Sequence, residues 1–194
     1  MMTLSKIANT PLADLIKDLA SKTPSPGGGA ATAITGSLAA ACSAMAFSYC
    51  EDNEEAKTTF EALTNASKKM ILLADKDAMV YKKFSECRTE SPEAIKEALL
   101  NACKIPLQVA ELAASITEHI HTSKHISKKT LLPDLQVATI LAEAAAESAL
   151  INIKANTQHY RFPKEKTNEF TTAAKNALKK IKIIREHLSE DPCC

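Results

Sequence analysis

Apolar residues recur every three or four positions along most of this chain, very often as alanine, and that spacing favours helices over strands. The pattern predicts about six helices. The first is expected with Thr10 as cap and Pro11 in its first position, running through Leu12, Leu15, Ile16 and Leu19 to about Ser21. The breaker-rich stretch SKTPSPGGG then leads into a second helix, AATAITGSLAAACSAMAFSYC. A third is expected from about Asp52 to Cys87. The fourth opens with Ser91 as cap and Pro92 in its first turn, and Pro106 within it should kink or divide it. A polar loop, HIHTSKHISKKT, precedes a fifth helix from about Pro133 to Gln158. The sixth, from about Pro163 to Leu188, has a lysine-rich outer face. No internal repeat or low-complexity linker interrupts the series.

The second helix sets the architecture. No charge occurs from Thr23 to Cys50, a length that raises the question of a membrane span, yet only Ile34, Leu38, Met45 and Phe47 are large. Ala, Ser and Thr dominate, so the gain on transfer to lipid is modest. A central helix packed on all sides is expected instead, with Ala33, Ser37 and Ala41 at four-residue spacing letting another helix approach closely. The expected fold is therefore all-α, a bundle of about six helices around a long small-residue helix. Exposing that helix would be costly, which predicts a homodimer.

The chain's 194 residues suit a single domain, and 45% apolar with 24% charged residues is a globular balance. Its formal charge of +1 is spread along the sequence without a basic block, which argues against nucleic acid as a partner. The six cysteines have no CxxC spacing, and MMTLSKIANT lacks the apolar run of a secretory leader. Free thiols in a cytoplasmic protein are expected.

Candidate chemistry falls in three places. Gly27, Gly28 and Gly29 at the entry to the second helix suit either backbone amides turned to an anion or polarised carbonyl, or a tight loop needing positive φ. On the third helix, ~100° per residue places Asp77 with Leu63, Ala66, Met70, Leu73, Tyr81 and Phe84, and Asp75 on the solvated side. A carboxylate on an apolar stripe must be paired, hydrogen-bonded or raised in pKa, whether its role is structural or catalytic. On the fifth helix, Asp134, Ala138, Leu141, Ala145, Ser148, Asn152 and Asn156 share one face, and Glu143, Glu147 and Lys154 share the opposite, solvated one. Asp134 and Asn152 are about 27 Å apart along a straight helix, so one small ligand cannot touch both from the same chain. His119, His121 and His125 fall in the polar loop, and no metal site is expected there. Nor is there a Ser/His/Asp order or an activated cysteine.

TPSPGGGAATAITGSLAAACSAM, ADKDAMVY, IPLQVAELA and PDLQVATILAEAAAESALINIKAN together resemble the formiminotransferase-cyclodeaminase family, in its cyclodeaminase domain and the stand-alone methenyltetrahydrofolate cyclohydrolases. The resemblance spans about residues 10 to 185. It implies a dimeric helical fold binding a tetrahydrofolate derivative near the glycine loop and the chain interface, as substrate and with no permanently bound cofactor. It implies two reactions: cyclisation of formiminotetrahydrofolate with loss of ammonia, or hydrolysis of the methenyl form to the formyl form. Carried onto this chain, Asp77 or Asp134 is the expected proton-transfer group. Gly27, Gly28 and Gly29 with the next amides would cradle the ligand, Asn152 or Asn156 would supply polar contacts, and Tyr81 would stack on the pterin. The chain departs from the family pattern at Ala30 and Pro133, each usually Ser, at Lys154, usually Arg, and at CEDNEE, which replaces a Gly-Lys-rich segment. Those departures motivate the competing expectation, a helical dimer of the same fold that binds or interacts without catalysing.

Overall fold

The computed structural model describes residues 7–50, 52–86, 91–158 and 162–189. Six α-helices occupy them: α1 (Leu12–Leu19), α2 (Gly28–Ser48), α3 (Glu54–Glu86), α4 (Pro92–Ser123), α5 (Leu132–Thr157) and α6 (Lys164–Ser189). Short 3-10 turns at Ile7–Asn9, Lys124–Ile126 and Lys129–Leu131 complete the order, and no strand occurs among the described residues.

Successive long helices run antiparallel. Ser37 of α2 meets Ser67 of α3, with Oγ atoms 2.9 Å apart, and further along Gly29 meets Asp77. Thr59 of α3 reaches Ser123 of α4, and Gln136 of α5 donates to the Leu188 carbonyl of α6. α2 lies between α3 and α5 and also touches α4. Its core positions are small, with Ala30, Ala33, Ala39, Ala40 and Ala46 fully buried, and α5 answers with Ala138, Ala142, Ala145, Ala146 and Ala149. Alanine against alanine lets helix axes approach closely. Larger side chains fill the rest of the core, among them Phe47, Leu63, Met70, Ile116 and Ile153. Gly36 is part of this fit, because a Cβ there would lie 2.7 Å from Cε of the buried Met70.

α2 is the one described helix long and apolar enough to cross a membrane, and 61% of its most apolar window is covered by the rest of the chain. Ala33 and Ser37 are buried as expected, while Ala41 is exposed. Ser91 caps α4 by accepting from the Ala94 amide at 3.3 Å.

Several expectations are revised. Pro11 is the N-cap of α1 rather than its first helical residue, and the helix stops at Leu19. α3 begins at Glu54 rather than about Asp52, with Asn53 as cap, its Oδ1 accepting from the Ala56 amide at 3.1 Å. The expected end of α3 at Cys87 lies outside the described residues, as do Cys193 and Cys194. Pro106 does not divide α4, which continues as one helix because neighbours bury the proline and satisfy the backbone around it. The first part of the polar loop is helical, since α4 extends to Ser123 and includes His119 and His121. Asp75 is half-buried, not solvated, and accepts from the Ile7 amide at 2.6 Å, tying the N-terminal turn to α3. Glu143 is not solvated either: its side chain is 13% exposed between Lys182 and Arg185 of α6, with Arg185 Nε 2.8 Å from Oε2 as an ion pair outside hydrogen-bond alignment. A helical projection ignores what a neighbouring helix brings to the polar side, and here α6 brings two cations.

Candidate active site

The site is built where α2 begins. An N-terminal helical turn needs acceptors for its free amides, and the N-cap, Gly27, has no side chain to provide one. Asp77 provides it from α3, its carboxylate accepting from the Ala30 amide in the first turn of α2. A Cβ on Gly29 would fall within the space of the Asp77 carboxyl group, so only glycine leaves room for that approach. None of the described glycines has positive φ, which removes the tight-loop reading. The three glycines also border a cavity, described below. The positive end of α2 holds the chain's own carboxylate, drawn there by the helix dipole and the free amides.

Burial pushes the Asp77 carboxyl above the ordinary carboxylate range, and the Ala30 hydrogen bond opposes that shift only in part. The group therefore keeps its proton to higher pH than a surface aspartate, a property suited to proton transfer.

A cavity of about 350 Å³ opens beside it, within the usual range for small-molecule sites. Its walls come from the loop before α2, the first turn of α2, the C-terminal third of α3, the first third of α4 and the end of α5. The structure brings Gly27, Gly28, Gly29, Asp77, Tyr81, Asn152 and Asn156 together on this one surface. Tyr81 is 44% exposed and lines the cavity together with Phe84.

Asp134 is the exception. It lies in the first turn of α5, at the opposite end of the helix from Asn152, and does not line the cavity. Its carbonyl accepts from the Cys42 thiol at 3.4 Å. Burial, with the Asp134 charge as the lesser cause, raises that thiol's pKa.

The two asparagines are held differently. Asn152 Nδ2 lies 3.4 Å from Thr32 Oγ1, and that hydroxyl donates to the Gly28 carbonyl at 2.7 Å. Asn156 Nδ2 donates to the Ala102 carbonyl of α4 at 2.9 Å. Thr32 and Ala102 escaped the sequence reading. Thr32 is an ordinary small member of the uncharged helix, whereas Ala102 could have been found by asking which carbonyl Pro106 leaves without its helical donor.

The histidines do not converge. His121 of α4 faces His187 of α6 at 5.8 Å between ring centroids, and His125 lies 3.7 Å from Glu55. No group of three or more potential metal ligands occurs among the described residues.

Fold and site define an all-helical domain with a desolvated carboxylate set into a ligand-sized cavity. The chain belongs to the formiminotransferase-cyclodeaminase family, whose sequence profile matches residues 11–186. It is similar to the mouse and pig formimidoyltransferase-cyclodeaminases, at 25% and 27% identity in alignments that cover 77% of this chain. It spans 31% of the length of each of those relatives. The crystal structure of formiminotetrahydrofolate cyclodeaminase from Thermotoga maritima shares the fold with a TM-score of 0.88 at 20% identity, covering 95% of this chain and 96% of that one.

Proposed function

We propose that this chain is an enzyme of one-carbon folate metabolism acting on the amidine carbon of a tetrahydrofolate derivative, with Asp77 as the proton-transfer group. The observation that supports this reading best is the Asp77 carboxyl itself, held by the Ala30 amide over Gly29 and facing a cavity beside Tyr81. In the cyclodeaminase reaction an amine nitrogen of the substrate bonds to the amidine carbon and gives up its proton. Asp77 passes that proton to the terminal nitrogen. A second proton from solvent completes ammonia as the carbon–nitrogen bond breaks, leaving the methenyl cation. In the hydrolase reaction water adds to the methenyl carbon, one of its protons passes through Asp77 to the ring nitrogen as that nitrogen's bond to the carbon breaks, and the other goes to solvent, leaving the formyl product.

The departure at Ala30 leaves this arrangement intact, since the Asp77 contact uses the residue's backbone amide. That supports an active enzyme over a module that only binds.

Homodimerisation belongs to the same reading. The exposed side of α2 carries Leu38 and Ala41, flanked by the half-buried Ile34 and Met45, and that of its neighbour α5 carries Val137, Ile140, Ala144, Glu147 and Ile151. These helices are antiparallel neighbours through the Thr32–Asn152 and Cys42–Asp134 contacts. Leu38 is 56% and Ile140 53% exposed in the single chain, so a second copy would cover a largely uncharged face.

The test uses both folate derivatives on the purified chain, following the near-ultraviolet absorbance of the methenyl form and the release of ammonia. Gain of absorbance with ammonia from the formimino compound marks the deaminase, and loss of absorbance from the methenyl compound marks the hydrolase. Asp77→Asn should lower turnover by ~10²-fold or more, the scale of general acid–base catalysis. Turnover within a few-fold of the parent would refute the assignment of Asp77.

A further inference from the structure

The outer groove between α3 and α4 gathers positive charge without balancing it. Lys69, Lys76 and Lys83 fall seven residues apart on α3, which puts them on one face at intervals of about 10.5 Å. Leu72 and Met79, 54% and 52% exposed, alternate with them in the three- and four-residue steps of a helix-packing seam. Across the groove α4 contributes Asn101, Lys104, Gln108 and Leu112. Two hollows of about 260 and 350 Å³ lie along it and adjoin, since Lys76 and Gln108 line both. Four of the lining residues are lysines and none is acidic, in a chain whose 24 cationic and 23 anionic residues nearly cancel. Glu97 and Glu111 of α4 are exposed but do not line the hollows. Lysines elsewhere do pair, as Lys57 with Glu54 and Lys180 with Glu118. Among the described residues none of the four groove lysines has an ion pair, and Lys104 only donates to Asn101 Oδ1 at 3.1 Å.

We infer that this groove docks an acidic amphipathic helix of a partner protein, with carboxylates facing the three lysines of α3 and aliphatic side chains over Leu72 and Met79. Extent and chemistry select that occupant. From Lys69 to Lys83 the row spans about 21 Å, too far for one phosphate or one metabolite-sized anion to bridge. Lysines alone would suit any polyanion, but a nucleic-acid backbone or a flexible acidic chain would leave the interleaved Leu72 and Met79 uncovered. A membrane surface is flat, whereas these side chains line hollows between two helices. A helix with carboxylates every seven residues and aliphatic side chains between them meets both sets together, because its two-turn repeat equals that of α3. Each exposed ion pair is weak, so affinity comes from several pairs and from the apolar area covered. None of the four lysines lines the cavity at the start of α2, so the inference does not rest on the folate reading.

The probe is a synthetic helix-forming peptide of about six turns, roughly 21 residues, with Glu at every seventh position and Leu at the steps between. It is labelled for fluorescence anisotropy and titrated with the full chain at low ionic strength. Saturable binding is expected, weakened by ~10-fold or more when Lys69→Glu, Lys76→Glu and Lys83→Glu are combined. A peptide with Lys in place of each Glu should bind that triple variant ~10-fold better than it binds the parent chain. Leu72→Ser with Met79→Ser, which leaves every charge in place, should weaken the acidic peptide by ~3- to 10-fold. All five positions are exposed, so both variants should melt within a few degrees of the parent. A scrambled peptide of the same composition should bind ~5-fold or more weakly than the ordered one. Equal binding of the scrambled peptide would reduce the groove to diffuse charge attraction and overturn the inference. So would an affinity unchanged by the triple variant, no gain for the reversed peptide, or no saturable binding by the parent. Binding of the parent to phosphatidylserine vesicles but not to the peptide would overturn it in favour of a lipid surface.

Discussion

Gly29→Ala is the smallest change that probes the centre of the site, because one methyl group would occupy the space of the Asp77 carboxyl. The backbone does not resist it: Gly29 is helical without positive φ, and alanine has the higher helix propensity, by up to about 1 kcal/mol. The opposing effect is larger. Asp77 must rotate away and lose a charge-assisted hydrogen bond, worth about 1.5–3 kcal/mol, leaving the Ala30 amide short of its acceptor. The balance is a net loss of about 1–2 kcal/mol, or roughly 2–8 °C in Tm for a domain of this size. Turnover should fall by ~10²-fold or more, because the proton-transfer group no longer faces the cavity. Neighbouring glycines provide the control. A Cβ on Gly27 meets nothing within 4 Å and one on Gly28 meets only Asn152 Oδ1 at 3.9 Å, so alanine at either position should shift Tm by no more than a few degrees. Calorimetric melting and steady-state turnover on the three variants make the comparison. If Gly29→Ala melts and turns over like Gly28→Ala, the carboxylate does not occupy the first turn of α2 and the argument for its raised pKa fails with it.

Burial raises the Asp77 pKa in the folded state, so the stabilisation from its proton is complete below the ordinary carboxylate value and is lost as pH rises through the raised one. Asp77→Asn should therefore gain in Tm over the parent at neutral pH, with the gap closing on acidification; a gap that widens toward acid would contradict the desolvation argument. Asp75→Asn should keep turnover within a few-fold and cost at most a few degrees, since Asp75 holds the Ile7 amide and does not line the cavity. Lysine at Leu38 or Ile140 would place an unpaired charge on the proposed dimer face, so each should weaken self-association by ~2 kcal/mol or more in sedimentation at micromolar concentration, whereas a parent that sediments as a monomer would remove that interface. The Cys103 thiol is fully buried and its pKa is pushed up to about 12, so mass-spectrometric mapping after iodoacetamide at pH 8 should find it unlabelled in the native protein and labelled after denaturation.

Much of this protein is determined locally and was legible in the sequence. Helical periodicity, the Ser91-Pro92 start of α4 and the charge-free run of α2 are properties of contiguous residues, and they fixed the number and order of the helices. The apolar company of Asp77 on its own helix likewise singled it out, since a carboxylate on a buried stripe needs an explanation whatever surrounds it. Other features depend on which helix lies opposite. Asp75 and Glu143 read as solvated because a projection of one helix cannot show the Ile7 amide or the two cations of α6. Gly29 read as a residue for a turn or an anion, and its sequence neighbourhood could not show that it must also leave room for a side chain 48 positions later in the chain. Pro106 read as a break, yet the carbonyl it strands is satisfied from α5, so the helix continues and Asn156 is oriented by the same contact. Hydrogen bonds and excluded volume act over a few ångströms in space whatever the separation along the chain. Tertiary packing alone could therefore decide which polar groups were partnered and which way they faced.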